Sequence, residues 1–327
     1  MIQNTFKTCV VGIDISDEET IFAIVDIRGN IIAQDSIPTL EYVNINDFIA
    51  KLSDSIIMLA EANGGYENIR SIGISTPSGN YLTGCIEHSP RLPWGGRIPL
   101  AAMMRDRMGL ATAVANDAHV RALGEAAFGC AHGMKTFIVV VLGYGVGGCL
   151  VSNGQVHLGS NGHAGEIGHT CIIMNNGRPC ACGRKGCLEA YCSNNGILTT
   201  VQEVLAESNA PSLMRGCEKL TPKTIEEFCN QGDELSIEVY KRTGKFLGLG
   251  LANYASIANP EAFILTGGIS KAGKWLLEPA NEAFEENVFH NTRNKVKLLT
   301  STLVDSERDV LGASVLAWGV KEYSLFK

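Results

Sequence analysis

The sequence has too few basic residues for a protein that binds nucleic acid through its surface charge. Its 327 residues include 27 Lys and Arg against 34 Asp and Glu, a formal net charge of −7. A nucleic-acid backbone requires a basic face on its partner, and no helix-turn-helix pattern precedes the first predicted strand. We therefore expect no nucleic-acid partner.

A long apolar segment is also missing. The most apolar stretch, residues 137–151, carries no charge but is shorter than the roughly 20 residues that span a bilayer. Glycines interrupt it, so we interpret it as two buried strands and a turn. Residues 1–8 show no charged leader followed by an apolar segment and a small-residue cleavage site. Together these absences predict a cytoplasmic protein with no membrane partner.

A disulfide pattern is absent, although the chain has 11 cysteines. A lone cysteine in an apolar or helical context is usually a small core side chain, and without a secretion signal it should stay reduced. The isolated cysteines are Cys9, Cys85, Cys130, Cys149, Cys171, Cys192, Cys217 and Cys229. Only Cys180, Cys182 and Cys187 form a cluster.

The strand and helix patterns that are present occur twice along the chain. A first meander and its helix–strand units are predicted at 8–16, 20–27, 31–37, 46–63, 71–76, 99–108 and 112–116. A second set is predicted at 137–142, 148–152, 235–257, 262–266 and 296–303. This predicts an α/β protein of two similar halves with a cleft between them. We place a small domain at 1–117 with the final helix 312–327, and a large domain at 118–311.

The cysteine cluster predicts a metal site. His169 precedes Cys180, Cys182 and Cys187, and one imidazole with three thiolates suits the closed tetrahedral site of structural zinc. Gly183 and the glycine at 186 allow the loop to fold tightly. The alternatives are three incidental core cysteines or a redox pair, and the spacing is not Cys-x-x-Cys.

These residues lie in motifs that resemble the ROK family of bacterial glucokinases, other hexose and N-acetylhexosamine kinases, and related repressors. The motifs are Gly165-Glu-Ile-Gly-His169 with Cys180-x-Cys-Gly-x-x-Gly-Cys-x-Glu189, Gly12-Ile-Asp14, Leu92-Pro-Trp94, Asn116-Asp117, Leu142-Gly-x-Gly-x-Gly-Gly148 and Thr266-Gly-Gly-Ile269. The resemblance spans nearly the whole chain, without the N-terminal DNA-binding domain of the repressors. It implies two ribonuclease H-like halves, as in actin and hexokinase, and a homodimer.

The resemblance also implies a sugar site. Asp117 follows a predicted strand and begins a helix, so from the sequence alone it is either a helix N-cap or a group that projects into a cleft. The resemblance favours a general base that takes the proton of the sugar hydroxyl. Further substrate-binding residues implied by it are Asn116, Glu166, His169, Glu189, Ser78 and Gly79. His169 would hold zinc with one ring nitrogen and face the sugar with the other.

ATP and Mg²⁺ are the remaining expected ligands. Glycine turns let backbone N–H groups approach phosphate oxygens. The expected nucleotide-binding residues are Asp14, Gly143, Gly145, Gly147, Gly267 and Gly268. Either glycine turn, taken alone, could equally be an ordinary tight turn.

The first phosphate turn departs from the family pattern Asp-x-Gly-Gly-Thr-Lys. Here Asp14 is followed by Ile-Ser-Asp-Glu-Glu at 15–19, and other departures are Tyr144, Ser78 and Arg91. Two like charges about 6 Å apart at an effective dielectric near 20 repel by roughly 3 kcal/mol, unless the turn points into solvent and is screened. The leading hypothesis is an ATP-dependent hexose kinase with glucose as the family default. The alternative is a non-catalytic sugar-binding sensor that has lost nucleotide handling.

Overall fold

The computed structural model describes residues 7–320, which divide into two compact units. The first unit contains the described residues up to His132, the segment Leu158–His163 and the chain from Thr302 onward. The second contains Gly133–His157 and Ala164–Ser301. Residues 321–327, which the sequence assigned to the end of the final helix, lie outside the described residues, as do residues 1–6.

The first unit is built on a five-stranded sheet of order β3-β2-β1-β4-β8. A small three-stranded sheet, β5-β6-β7, is formed by the chain between β4 and β8. Its strands are β1 Cys9–Ile15, β2 Glu19–Asp26, β3 Ile31–Pro38, β4 Ile69–Ser75, β5 Gly79–Asn80, β6 Cys85–Glu87, β7 Arg97–Ile98 and β8 Ala111–Ala115. Its helices include α1 Ile45–Ala62, α2 Leu100–Met108 and α3 Asp117–Ala127. The predicted apolar stripe of α1 is buried at Phe48, Leu52 and Ile56, as helical periodicity requires.

The second unit contains a sheet of order β11-β10-β9-β12-β13. Its strands are β9 Phe137–Leu142, β10 Val146–Ser152, β11 Gln155–Val156, β12 Ala262–Thr266 and β13 Lys297–Thr300. Its helices are α4 Glu189–Cys192, α5 Asn194–Glu207, α6 Pro222–Asn230, α7 Glu234–Ala258 and α8 Lys274–Asn287. Every residue of β9 and β12 is buried, which explains why both read as unbroken apolar runs.

The two sheets share one plan, an antiparallel three-stranded meander followed by two parallel strands. This arrangement confirms the α/β class predicted from the repeated pattern of strands and helices. It also places the carboxyl ends of the parallel strands together at one edge of each sheet, where loops that bind ligands commonly lie.

The last described helix, α9 Asp305–Gly319, begins at Asp305 rather than at the predicted Gly312. It packs on the first sheet and on α3 at glycines that leave no room for a side chain. A Cβ at Gly12 would lie 2.2 Å from the carbonyl oxygen of Val310, and one at Gly312 would lie 2.2 Å from that of Val120. Because α3 is held by α9, the first unit extends to His132 and does not end at the predicted boundary after Asp117.

None of the helices in residues 7–320 combines the length and the low charge that a membrane span needs.

Candidate functional site

The edge of the first sheet gathers residues from three parallel strands. Asp14 on β1 is in register with Ser75 on β4, which is in register with Ala115 on β8. Asn116 and Asp117 follow directly after β8. The fold therefore brings Asp14 to the same edge as the two residues that the sequence assigned to sugar binding and proton transfer.

The hydrogen bonds at the start of α3 show which residue caps the helix. Asn116 is the N-cap, and its side-chain oxygen accepts the backbone N–H of His119 at 2.8 Å. Asp117 is the first helical residue, and its Oδ1 accepts the N–H of Ala118 at 2.9 Å. Since Asn116 already satisfies the usual capping bond, the capping interpretation of Asp117 is wrong. The Asn116 side chain retains its NH₂ group as a donor.

The Ser78–Gly79 turn lies against the end of β8. The N–H of Thr76 donates to the carbonyl of Ala115 at 3.1 Å. A Cβ at Gly79 would lie 2.5 Å from the same oxygen, so a larger residue would push the turn away. Ser78 has a φ of 58°, in the left-handed region that favours glycine. The structure thus places this turn against the end of β8, which Asn116 follows directly in the chain.

A buried charge cluster surrounds Asp14. Burial raises the pKa of Asp14 to about 7, and the negative charge of Asp309 on α9 acts in the same direction. Ser75 and Arg121 oppose this rise. Arg121 on α3 donates to both oxygens of Asp309, at 2.7 and 3.0 Å. At neutral pH, Asp14 is therefore protonated in part of the molecules and ionised in the rest.

This environment makes stability depend on pH in a defined direction. The folded state holds the Asp14 proton more tightly than the unfolded chain, where the pKa is 3.8, so stability decreases as the pH rises through about 7. Each unit of pKa difference corresponds to about 1.4 kcal/mol. We expect Asp14→Asn to increase the unfolding free energy by more than about 1 kcal/mol at pH 8 and less at pH 5. Urea unfolding at both pH values measures this change in unfolding free energy, and the variant Asp106→Asn at an exposed site is the control. An equal change at pH 5 and pH 8 would contradict the prediction.

The acidic turn between β1 and β2 is closed, and one of its three carboxylates is paired with a cation. Ser16 closes it, because its hydroxyl donates to the carbonyl of Glu19 at 2.7 Å and accepts the N–H of Glu19 at 3.1 Å. Arg91 forms an ion pair with Asp17 at 2.6 Å, and the Glu19 carboxylate accepts the hydroxyl of Ser36 at 2.5 Å. Partial burial raises the pKa of Asp17, but the Arg91 guanidinium outweighs it and holds the pKa below its usual range. Two of the departures from the family pattern thus contact each other.

The predicted metal ligands meet in the second unit. One ligand atom from each of His169, Cys180, Cys182 and Cys187 lies within 4.8 Å of the others. The Cys182 and Cys187 sulfurs are 3.7 Å apart, and the Cys180 sulfur is 3.7 Å from His169 Nδ1. A tetrahedral zinc ion with Zn–S bonds near 2.3 Å requires a separation of about 3.8 Å between sulfurs. The four residues therefore fit a tetrahedral ion of this size.

The thiols of this cluster differ in acidity. The backbone N–H of Arg184 lowers the pKa of Cys182 to about 6, whereas burial raises the pKa of Cys180 to about 12. Burial also raises the pKa of Cys187. Since thiolates are the form that binds metal, metal binding here should release protons.

Two of the three expected sugar ligands of the second unit, His169 and Glu189, contact this cluster. His169 turns Nδ1 toward Cys180, which leaves Nε2 as the nitrogen that could meet a hydroxyl. Glu189 begins α4 two residues after Cys187, and its Oε2 accepts the N–H of Val146 at 3.0 Å. Glu166 is exposed, next to the short helix Ile167–His169. One loop therefore positions Glu189 and the cysteine ligands together.

The glycine turns of the second unit are neighbours. Gly143 and Gly145 connect β9 to β10, and a Cβ at Gly267 would lie 2.3 Å from the carbonyl oxygen of Leu142. Gly268 begins the short helix that follows β12. Gly147 lies beyond the turn, within β10 and opposite Val141. The structure therefore brings four of the five predicted glycines together at the end of β9 and β12.

Sequence reasoning missed three residues of the first unit. Arg121 and Asp309 were not considered, and Arg91 was noted only as a departure. The spacing of Asp117 and Arg121, an acid four residues before a base, places both on one helix face and was a usable signal. No local signal pairs Arg121 with Asp309, because they are 188 residues apart.

Comparison with known proteins gives consistent relatives. The profile of a family described as the ROK family matches residues 10–319. A glucokinase of Halalkalibacterium halodurans is 32% identical over 321 residues, covering 95% of this chain and 94% of the relative. The DNA-binding transcriptional dual regulator NagC of Escherichia coli is 26% identical, and the match covers 97% of this chain and 77% of the NagC chain.

A solved structure shows the same fold. It is a ROK family glucokinase from Streptomyces griseus in complex with glucose and AMPPNP. Its TM-score to this chain is 0.77 at 26% identity, and the match covers 95% of this chain and 99% of that one.

Proposed function

The chain belongs to the ROK family, and from that membership we propose that it is a sugar kinase that transfers the γ-phosphoryl group of ATP to a hexose hydroxyl. Asp117 carries the proposal. It is not the cap of α3, and it stands at the sheet edge that also holds Asp14. A carboxylate so placed accepts the hydroxyl proton as the sugar oxygen attacks phosphorus and ADP leaves.

The sugar ligands are proposed within each unit. In the first unit, the NH₂ group of Asn116 and the Ser78–Gly79 turn bind hydroxyls. In the second, Glu166, Nε2 of His169 and Glu189 do so. Several groups that each bond a hydroxyl discriminate strongly against analogues that lack one. The glucokinase relatives favour glucose as the substrate.

Mg-ATP is proposed as the phosphate donor, with backbone N–H groups of Gly143, Gly145, Gly267 and Gly268 and the Asp14 carboxylate as nucleotide-side contacts. The relative bound to AMPPNP supports nucleotide use. Zinc held by His169 and the three clustered cysteines is proposed to be structural, because four protein ligands leave no open position. A homodimer in the cytoplasm is part of the same proposal.

One observation favours a second candidate, a non-catalytic sugar sensor. The turn at 16–19 has no glycine and is closed by Ser16, so its backbone is less accessible to phosphate than a glycine turn would be. The Asp17–Arg91 ion pair weakens this objection, because it removes one net negative charge from the turn. Regulators among the relatives make the sensor a concrete alternative.

The kinase proposal is tested by sugar-dependent ADP formation across a panel of hexoses and N-acetylhexosamines with Mg-ATP. We expect ADP formation with at least one hexose, glucose first, and little without sugar. A protein that is stabilised by a hexose but forms no ADP with any sugar would be the sensor and not the kinase.

Thermal shifts separate sugar binding from nucleotide binding. A ligand that binds only the folded state raises its stability by RT ln(1 + [L]/Kd). We expect a clear shift with the correct hexose and a small one with Mg-ATP alone. Replacing residues 16–19 by Gly-Gly-Thr-Lys should increase the Mg-ATP shift and leave the hexose shift nearly unchanged.

A matched variant controls for net charge. Glu61 and Glu67 are exposed, and changing both to Lys alters the net charge by the same amount at a distance in sequence from the turn. This variant should leave the Mg-ATP shift unchanged. Tight Mg-ATP binding by the natural protein, unaffected by the turn replacement, would show that the acidic turn lies outside the nucleotide site.

A further inference from the structure

A buried ion-pair network joins α3 and α9 in the first unit. Its anchor is Asp309 on α9, which two arginines share. Arg121 binds both of its oxygens, and Arg308 approaches them at 3.3 and 3.5 Å. The three side chains are only 14%, 12% and 7% exposed for Arg121, Asp309 and Arg308. Buried charges of this kind must be paired.

The helices that carry the network are held rigidly. A Cβ at Gly12 would collide with α9, and one at Gly312 would collide with α3. Close backbone contact of this kind leaves little freedom for the helices to shift. The position of Asp309 relative to β1 and α3 is therefore set by the packing.

Arg121 links this anchor to the catalytic residues. It follows Asp117 by four residues, so both lie on the same face of α3. Its charge acts on Asp309, Asp117 and Asp14, in that order of strength. At Asp14 the negative charge of Asp309 has a larger effect than the positive charge of Arg121, and Arg308 also bonds Asp305 at 2.7 Å. Asp117 is therefore, after Asp309, the carboxylate on which the charge of Arg121 acts most strongly.

We propose that Arg121, held by Asp309, is a positioning residue that keeps the Asp117 carboxylate in place during phosphoryl transfer. The inference rests on the proposed kinase function. The charged and polar groups that face the cluster are Asp14 on β1, Ser75 on β4, Asp117 and Arg121 on α3, and Asp305, Arg308 and Asp309 on α9. Asp14 receives opposite effects, since Asp309 raises its pKa and Arg121 lowers it.

Two arginine variants separate positioning from stability. Arg121→Met and Arg308→Met each remove one partner of Asp309, so both should lower the unfolding temperature. Only Arg121→Met should lower kcat, by about 10-fold or more, with less than about twofold change in the hexose KM. Arg121→Lys keeps the charge and should recover most of the lost kcat.

A double variant covers the case in which Arg121→Met folds poorly. Arg121→Met with Asp309→Asn removes both charges of the pair and does not leave Asp309 as a buried carboxylate without its partner, which should restore stability. Its kcat should remain low. Wild-type kcat in the double variant, or an equal loss of kcat in Arg308→Met, overturns the inference while the kinase function stands. A natural protein that forms no ADP with any sugar would overturn the kinase function, and the inference with it.

Discussion

We expect Asp117→Asn to lower kcat by roughly 100-fold or more, the usual loss when a general base is removed. In the proposed reaction this carboxylate accepts the hydroxyl proton, and an amide cannot do so. The helix should survive the change. Asn116 is its N-cap, and the new amide oxygen can still accept the N–H of Ala118. Loss of one charge near a helix N-terminus costs up to about 2 kcal/mol.

The hexose KM should change far less than kcat, because the amide still forms hydrogen bonds with a hydroxyl. Steady-state kinetics with thermal unfolding of the same samples measures both effects. Asn116→Asp is the matched control, since Asp also caps helices well but lacks the NH₂ donor. It should raise the hexose KM and retain most of kcat. Wild-type turnover in Asp117→Asn would mean that Asp117 takes no part in the chemistry.

We expect Cys182→Ser to reduce zinc content from about one ion per chain to nearly none and to lower the unfolding temperature by several degrees, because a structural zinc site contributes directly to folding. Cys182 is exposed, and exposed substitutions away from such a site usually change stability by at most about 0.5 kcal/mol. A large loss would therefore come from the metal.

Cys171→Ser is the matched control for this experiment. Cys171 is also exposed and lies close in sequence to His169, but it is not one of the four grouped ligands. It should leave zinc content and stability unchanged. Because the same loop carries Glu189, zinc loss should also raise the hexose KM. Native protein without bound zinc after washing with chelator would remove the ligand assignment.

The grouping of the four candidate metal ligands could be predicted from the sequence because most of the information is local. Cys180, Cys182 and Cys187 lie within eight residues, so any compact turn brings them together, and their chemistry restricts the ion. The buried strands could also be predicted, because their signal is local to each strand. The apolar runs of β9 and β12 were predicted at their observed bounds, because strands buried on both faces show no polar interruption.

Helix ends were less well predicted. The final helix was placed at Gly312, seven residues past its start at Asp305, and the segment before Gly312 is rich in charged residues. In the structure this segment is the first part of α9, and its Arg308 and Asp309 are buried as a pair. Burial of charge is decided by a partner elsewhere in the chain, and a local pattern does not contain that partner.

The sequence by itself determined the two α/β halves, the clustered metal ligands, the glycine turns and the position of Asp117 after a strand, since each depends on periodicity or short spacing. The tertiary structure decided which charged residues form ion pairs and which are buried. It paired Arg91 with Asp17 across 74 residues and Arg121 with Asp309 across 188. It also placed Asp14 in a buried setting that raises its pKa. Such pairings depend on which elements of the chain pack together, and packing is a property of the folded chain.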